Sequence, residues 1–178
     1  MGILSAIFKK KAPEPVKPAA TKKAAPKPEK KVSHHNVAGT SFHQAEIKAM
    51  GTKNPDYALT KSALFKRDPD AVVYEYTFSP KKAELVPEPE NPHDPNAIKV
   101  LVDGVHVGYI KAGSCARIHK LLREGRIEKI EPEVFGGRSK YLCSYDTDSK
   151  RLSDYDLEED EGPFGVQLSI TETKKPEA

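Results

Sequence analysis

Asn91, His93, Asp94 and Asn96 fall within one short stretch of chain that also contains Pro92 and Pro95. An imidazole, a carboxylate and amides this close together can donate and accept hydrogen bonds to one small polar group. Each proline pushes the residue before it, Asn91 or Asp94, towards extended geometry, so the segment has few conformations to choose from. A carboxylate repels phosphate, so the ligand that suits this turn is a neutral, donor-rich group such as a sugar hydroxyl. The turn's own amides compete for the same side chains, most evenly at Asn96, which leads directly into the next strand. Phe42, Tyr109 and Tyr141 stand at predicted strand ends. Bases stack on such platforms for roughly 1–3 kcal/mol each, although single aromatics more often pack in a core. Lys111, Arg138 and Lys140 lie near Tyr109 and Tyr141 and offer cations for phosphate, as lone surface cations also do in proteins without a ligand.

The elements that must position these residues are short. His34–Phe42 reads as a strand with Gly39 near a bend, and Gln44–Met50 as a brief amphipathic helix stopped by Gly51. Asn54-Pro55-Asp56 has the cap, first-turn proline and acid that open a second helix, running to Lys66. From Val72 to Phe78 apolar and polar residues alternate, as in a half-buried strand, and Lys82–Glu88 is the next strand. Ala97–Val102 and Val105–Ile110 form a hairpin over Asp103-Gly104. Gly113-Ser114 leads into a helix whose buried face is Cys115, Ile118, Leu121 and Leu122. Ile127–Phe135 and Ser139–Tyr145 are strands separated by a turn at Gly136-Gly137, and Phe164–Thr171 closes the domain. Short strands with brief helices and no βαβ repeat predict a mainly β barrel or sandwich with helical insertions.

Charge is unevenly placed. Residues 1–31 hold nine Lys against Glu14 and Glu29, net +7, while residues 146–161 hold eight acids against Lys150 and Arg151, net −6. The whole-chain balance of +3 hides this division, so it is poor evidence for a nucleic-acid partner by itself. The pattern predicts a disordered basic Lys/Ala/Pro arm at 1–33, a domain at 34–172 with an acidic loop insertion at 146–163, and a disordered tail at 173–178. Cys115 and Cys143 are too few for a disulfide scaffold or a closed zinc site, which favours a reduced, cytoplasmic setting. Cys115 with His119, or His34 and His35 with His43, are too sparse to hold a metal, and no cofactor is expected. No apolar run is long enough to span a membrane. The opening Met1-Gly-Ile-Leu-Ser-Ala-Ile-Phe8 is at most a weak amphipathic foot, and Ala6 fails the myristoylation pattern. No nucleophile elbow, phosphate-cradling glycine loop or zinc-protease helix occurs, so the chain reads as a non-enzyme.

Asn91-Pro-His-Asp-Pro-Asn-Ala-Ile-Lys-Val100 followed by Gly104-Val-His-Val-Gly-Tyr-Ile-Lys111 resembles the HIRAN domain. Val37–Phe42 is similar to the opening strand of that family and Ala112–Leu122 to the helix after its hairpin, so the likeness covers roughly residues 36–145. The resemblance implies an OB-like six-stranded barrel with two or three short helices. It also implies binding of single-stranded DNA at its 3′ end, with the terminal hydroxyl received by the turn of Asn91, His93 and Asp94. Asp94 matches the hydroxyl-accepting aspartate of the family and Phe42 an aromatic position. His93 stands for a tyrosine, Tyr109 for a histidine and Ser41 for an arginine, while Tyr141 fits a base-stacking position.

The expectation is therefore a nucleic-acid-binding module for single-stranded DNA or its 3′ end, in repair, replication or phage DNA metabolism. Asp94 would take the hydroxyl, Asn91 and His93 the end nucleotide, Phe42, Tyr109 and Tyr141 the bases, and Lys111 a phosphate. A DNA-processing enzyme is a further candidate partner. The alternative is a protein-interaction adaptor on the same barrel, with the arm on a membrane surface or acidic partner. An accessory role to hydrolytic or zinc-containing remodelling enzymes ranks last.

Overall fold

The hairpin over Asp103-Gly104 is the structural centre of the computed structural model, which describes residues 30–144 and 150–173. Asp103 and Gly104 both take positive φ, 47° and 84°, the conformation that turns one strand back on its neighbour in two residues. The Asp103 carboxylate also accepts from the Lys81 and Lys82 amides, which ties the incoming strand to the same turn.

The strands are β1 Lys31–Ala38, β2 Thr52–Lys53, β3 Val73–Tyr74, β4 Tyr76–Thr77, β5 Ala83–Pro87, β6 Ile98–Val102, β7 Val105–Ile110, β8 Ile127–Ser144 and β9 Tyr155–Glu172. The helices are α1 Gln44–Ala49, α2 Lys61–Arg67 and α3 Ala112–Arg123. Seven strands form one antiparallel sheet in the order β3-β8-β9-β1-β7-β6-β5, and β2 pairs with β4 separately. The large sheet curls until β5 packs against β8 without a ladder between them. The mainly β, OB-like architecture with three short helices is therefore present as an open, strongly curled sheet of seven strands rather than a closed one of six. Among the described residues no helix is long and apolar enough to cross a membrane.

The core forms inside this curl. Ile98, Val100 and Val102 of β6 alternate inward towards Val107 and Ile110 of β7, Val166, Leu168 and Ile170 of β9, and Cys115, Ile118 and Leu121 of α3. The period of two along β6 and the spacing along α3 produce these two buried faces, as their apolar patterns require. A smaller cluster joins Leu64 of α2 to Leu142 and Tyr155 across the outer part of the β8–β9 ribbon.

Several local expectations are corrected. The first strand starts at Lys31 and ends at Ala38, and Thr40–Phe42 is a 3₁₀ turn entered through Gly39 at φ 78°. The expected helix from Asn54 breaks in two. Asn54 caps a 3₁₀ turn at Pro55–Ala58, Thr60 caps α2, and the intervening Leu59 carbonyl accepts from Lys140 Nζ at 2.6 Å. The strand expected at Val72–Phe78 changes sheet at Glu75, because β3 pairs with β8 and β4 with β2. Gly136-Gly137 is not a turn: β8 runs through it. A Cβ on Gly136 would lie 2.2 Å from the Pro163 carbonyl oxygen, and one on Gly137 2.4 Å from the Phe164 ring. The glycines let β8 bulge and bend closely over β9.

The acidic loop expected at 146–163 is, in its described part, a 3₁₀ turn at Leu152–Asp154 and then the first half of β9. A charged run forms a strand here because its side chains, 156–163, all stay exposed along the ribbon. It also finds opposite charges across the ladder, Lys140 facing Glu159 and Arg138 facing Glu161. Residues 1–29, 145–149 and 174–178, which include most of the predicted arm and tail, lie outside the described residues.

Candidate nucleic-acid interface

Asn91 builds its turn from within. Its Oδ1 accepts from the amides of His93 at 3.0 Å and Asp94 at 3.3 Å, and its own amide donates to the Glu88 carbonyl. Asp94 Oδ1 accepts from the Asn96 amide at 2.8 Å. These are the side-chain turns that asparagine and aspartate favour, and they take both acceptor sites of Asn91 Oδ1 but only one oxygen of Asp94. Asp94 Oδ2 has no hydrogen-bond partner among the described residues. The turn is built by its own side chains and leaves one carboxylate oxygen unengaged.

Three attachments hold the turn to the sheet. Glu88 accepts from Asn91 Nδ2 and from the Tyr109 hydroxyl, each at 3.1 Å, and pairs with Lys99. His119 Nε2 of α3 donates to the Asn96 carbonyl at 3.0 Å. The Ala97 amide donates to the Asp94 carbonyl as the chain enters β6. The Lys99 ammonium, with further bonds from Asn91 and Tyr109, holds the Glu88 carboxyl below its ordinary range although burial opposes this. Burial, then the bond to Glu88, pushes the Tyr109 hydroxyl up, so it stays protonated as the donor.

Asn91, His93, Asp94 and Tyr109, with Ala97, Ile110 and Ala112, line a cleft of about 250 Å³. A second hollow opens on the other side of Asn91 and Tyr109, towards Glu88, Pro89, Glu90 and Pro92. The Tyr109 ring stands edge-on to His106 at 5.0 Å, and His106 lies 4.2 Å from His43. The row of rings therefore runs from the cleft to the residue beside Phe42. Phe42 is 85% exposed on its 3₁₀ turn. Gln44 pins that turn: its side-chain amide donates to the Thr40 and Phe164 carbonyls and its Oε1 accepts from the Phe164 amide. An aromatic held outward by a fixed turn is a surface on which a base can stack. Burial, with the neighbouring His43, lowers the pKa of His106, favouring a neutral ring.

The structure thus gathers Asn91, His93, Asp94 and Tyr109 in one cleft, with Lys111 at its border and Phe42 at the end of the ring row. Tyr141 is not brought there. It faces Glu158 on the outer ribbon, and strand alternation points it away from the face where Leu142 meets Leu64 of α2. Arg138 and Lys140 sit on the same ribbon, and Lys140 is buried over the Tyr57 ring. Sequence reasoning missed Glu88, Lys99, His43 and His106. Glu88 three residues before Asn91 was the available signal. Cys115 and His119 do not share a site: the thiol meets the Ile110 and Lys111 carbonyls, and His119 holds the turn. Among the described residues no group of His, Cys, Asp or Glu is arranged to hold a metal.

Comparison with known families matches the HIRAN domain over residues 32–131, which takes in β1, the turn, the hairpin, α3 and the first part of β8. Neither curated proteins nor solved structures returned a match. Because the matched span covers more than half of the chain and is the part that builds the cleft, the chain belongs to the HIRAN domain family of nucleic-acid-binding modules.

Proposed function

We propose that this protein binds single-stranded DNA by its 3′ end. The observation that carries the reading is the free Asp94 Oδ2 in a cleft walled by Asn91, His93 and Tyr109, because a carboxylate oxygen favours a hydroxyl and disfavours a phosphate. In this reading Asp94 accepts the terminal sugar hydroxyl. His93 and Asn91 flank the end nucleotide, Tyr109 and Phe42 offer stacking surfaces, and Lys111 neutralises a phosphate. Tyr141 is left out because of its place on the outer ribbon. The domain itself supplies binding rather than catalysis. Repair, replication or phage DNA metabolism are the settings in which such an end-reader serves, with a DNA-processing enzyme as partner. The basic residues 1–30 that precede β1 add salt-sensitive, sequence-independent affinity.

The test compares single strands ending in 3′-hydroxyl and 3′-phosphate. The wild type is expected to prefer the hydroxyl by at least tenfold, about 1.4 kcal/mol. Asp94→Asn keeps the Oδ1 acceptor that Asn96 needs but replaces the free oxygen by a donor, so it should lose that preference while still folding. Equal binding of both strands by the wild type, or an unchanged preference in Asp94→Asn, refutes end recognition.

A further inference from the structure

β1 changes partner partway along its length. Lys31–Asn36 pair with β9, whereas only Val37 and Ala38 pair with β7. After Ile110 the β7 chain turns away into α3, so the sheet splits beside His34–Asn36. The split is a cleft of about 240 Å³, with His34, His35 and Asn36 on one wall, Lys111 and Ser114 on the other, and Gln167 alongside.

The lining is entirely polar and contains no acid. Its walls are ordered by their own hydrogen bonds: Gln167 Nε2 donates to Asn36 Oδ1 at 2.8 Å, His34 Nδ1 lies 2.9 Å from Ser169 Oγ, and His35 Nε2 lies 3.1 Å from Ser33 Oγ. The nearby Glu172 carboxylate is taken by Arg117. Lys111 makes no ion pair among the described residues. A fixed hollow with an unpaired ammonium, side-chain donors and no carboxylate suits an oxyanion. It is the opposite of the neighbouring cleft, which presents Asp94.

The two clefts share a wall. Ile110 and Ala112 line the Asp94 cleft, and Lys111 between them lines the split. We infer that the split in the sheet is a phosphodiester cleft, holding the DNA backbone on the 5′ side of the terminal nucleotide as the strand crosses Lys111. The inference rests on the end-binding reading and adds a path for the strand. It places β9, through Gln167, in the interface, although β9 lies beyond the residues that match the family.

The experiment measures binding of two- and six-nucleotide strands with free 3′-hydroxyls to the full chain. Asn36→Asp places a carboxylate in the cleft at an exposed strand position, and Asn36→Lys places an ammonium there. Asn36→Asp is expected to weaken the six-nucleotide strand about tenfold and to leave the two-nucleotide strand within about twofold. Asn36→Lys is expected to tighten the longer strand and steepen its salt dependence by about one unit of slope. Both variants should keep the 3′-hydroxyl preference. Equal binding by both variants and the wild type at six nucleotides, or a loss in Asn36→Asp that is the same at both lengths, overturns the inference. A failure of end recognition shows separately, as an Asp94→Asn variant that discriminates no differently from wild type.

Discussion

Lys99, Asn91 and Tyr109 converge on the Glu88 carboxylate, and through it the turn is fastened to the sheet. Because the partners lower the folded pKa of Glu88, this fastening contributes stability above the carboxyl's ordinary value of 4.5 and loses it as pH falls through the lower folded value. An NMR titration of the Tyr109 ring signals should show a step below the ordinary carboxylate range, beside any that the neighbouring His106 produces below 6.5. Glu88→Gln should abolish that step and weaken 3′-hydroxyl discrimination by loosening Asn91. A Tyr109 signal that shifts identically in Glu88→Gln would show that another group controls the ring. Asp94 illustrates the same economy, lining the cleft with one oxygen closing the turn and the other without a partner among the described residues.

Among the elements, the hairpin bulge has the largest consequence for the site. Counting outward from Asp103-Gly104 places Lys99 opposite Gly108, yet the ladder pairs Leu101 with His106 and then Val100 with Gly108. Val107 is the extra residue, and the slip moves Tyr109 opposite Lys99, where its hydroxyl meets Glu88. The bulge in β8 acts at longer range, bending the ribbon where Gly136 approaches the Pro163 carbonyl. Gly136→Ala combines a backbone clash with φ 91°, so it should destabilise the fold by about 1–3 kcal/mol, read from urea unfolding. An unchanged midpoint would mean that the ribbon bends elsewhere. Because the Asp94 cleft is lined by the Asn91–Ala97 turn, β7 and the start of α3, the folded fraction of this variant should keep its 3′-hydroxyl preference.

At the scale of the whole molecule, opposite charges belong to different segments of the chain. Eight of the nine Lys of residues 1–31 precede β1 in the chain, while Asp156, Glu158, Glu159, Asp160 and Glu161 line the exposed outer half of β9. No residue of that acidic ribbon lines the Asp94 cleft. Deleting residues 1–29 should therefore flatten the salt dependence of single-strand binding, by roughly 0.7 of a slope unit for each lysine that no longer meets a phosphate. The ratio between 3′-hydroxyl and 3′-phosphate strands should stay unchanged. Loss of all binding on deletion would move the interface to the arm and favour the adaptor reading of the barrel.

Much of the site was legible in the chain because its signals are local. The prolines around Asn91–Asn96, the Asp103-Gly104 turn and the buried stripe of α3 act through neighbouring backbone and fixed periods, so the rigid turn, the hairpin and the supporting helix could be read directly. The partners that complete the cleft were not local. Glu88 meets Tyr109 across 21 positions, and His119 reaches Asn96 across 23. A one-residue bulge decides which side chain faces Lys99, and no period in the sequence marks it. The acidic stretch misled for the same reason: a charged run looks solvated in one dimension, and only pairing with a distant strand makes it a ribbon. Sequence alone determined the turn and its chemistry. Tertiary structure decided which residues surround it, because register and strand pairing depend on contacts between distant segments.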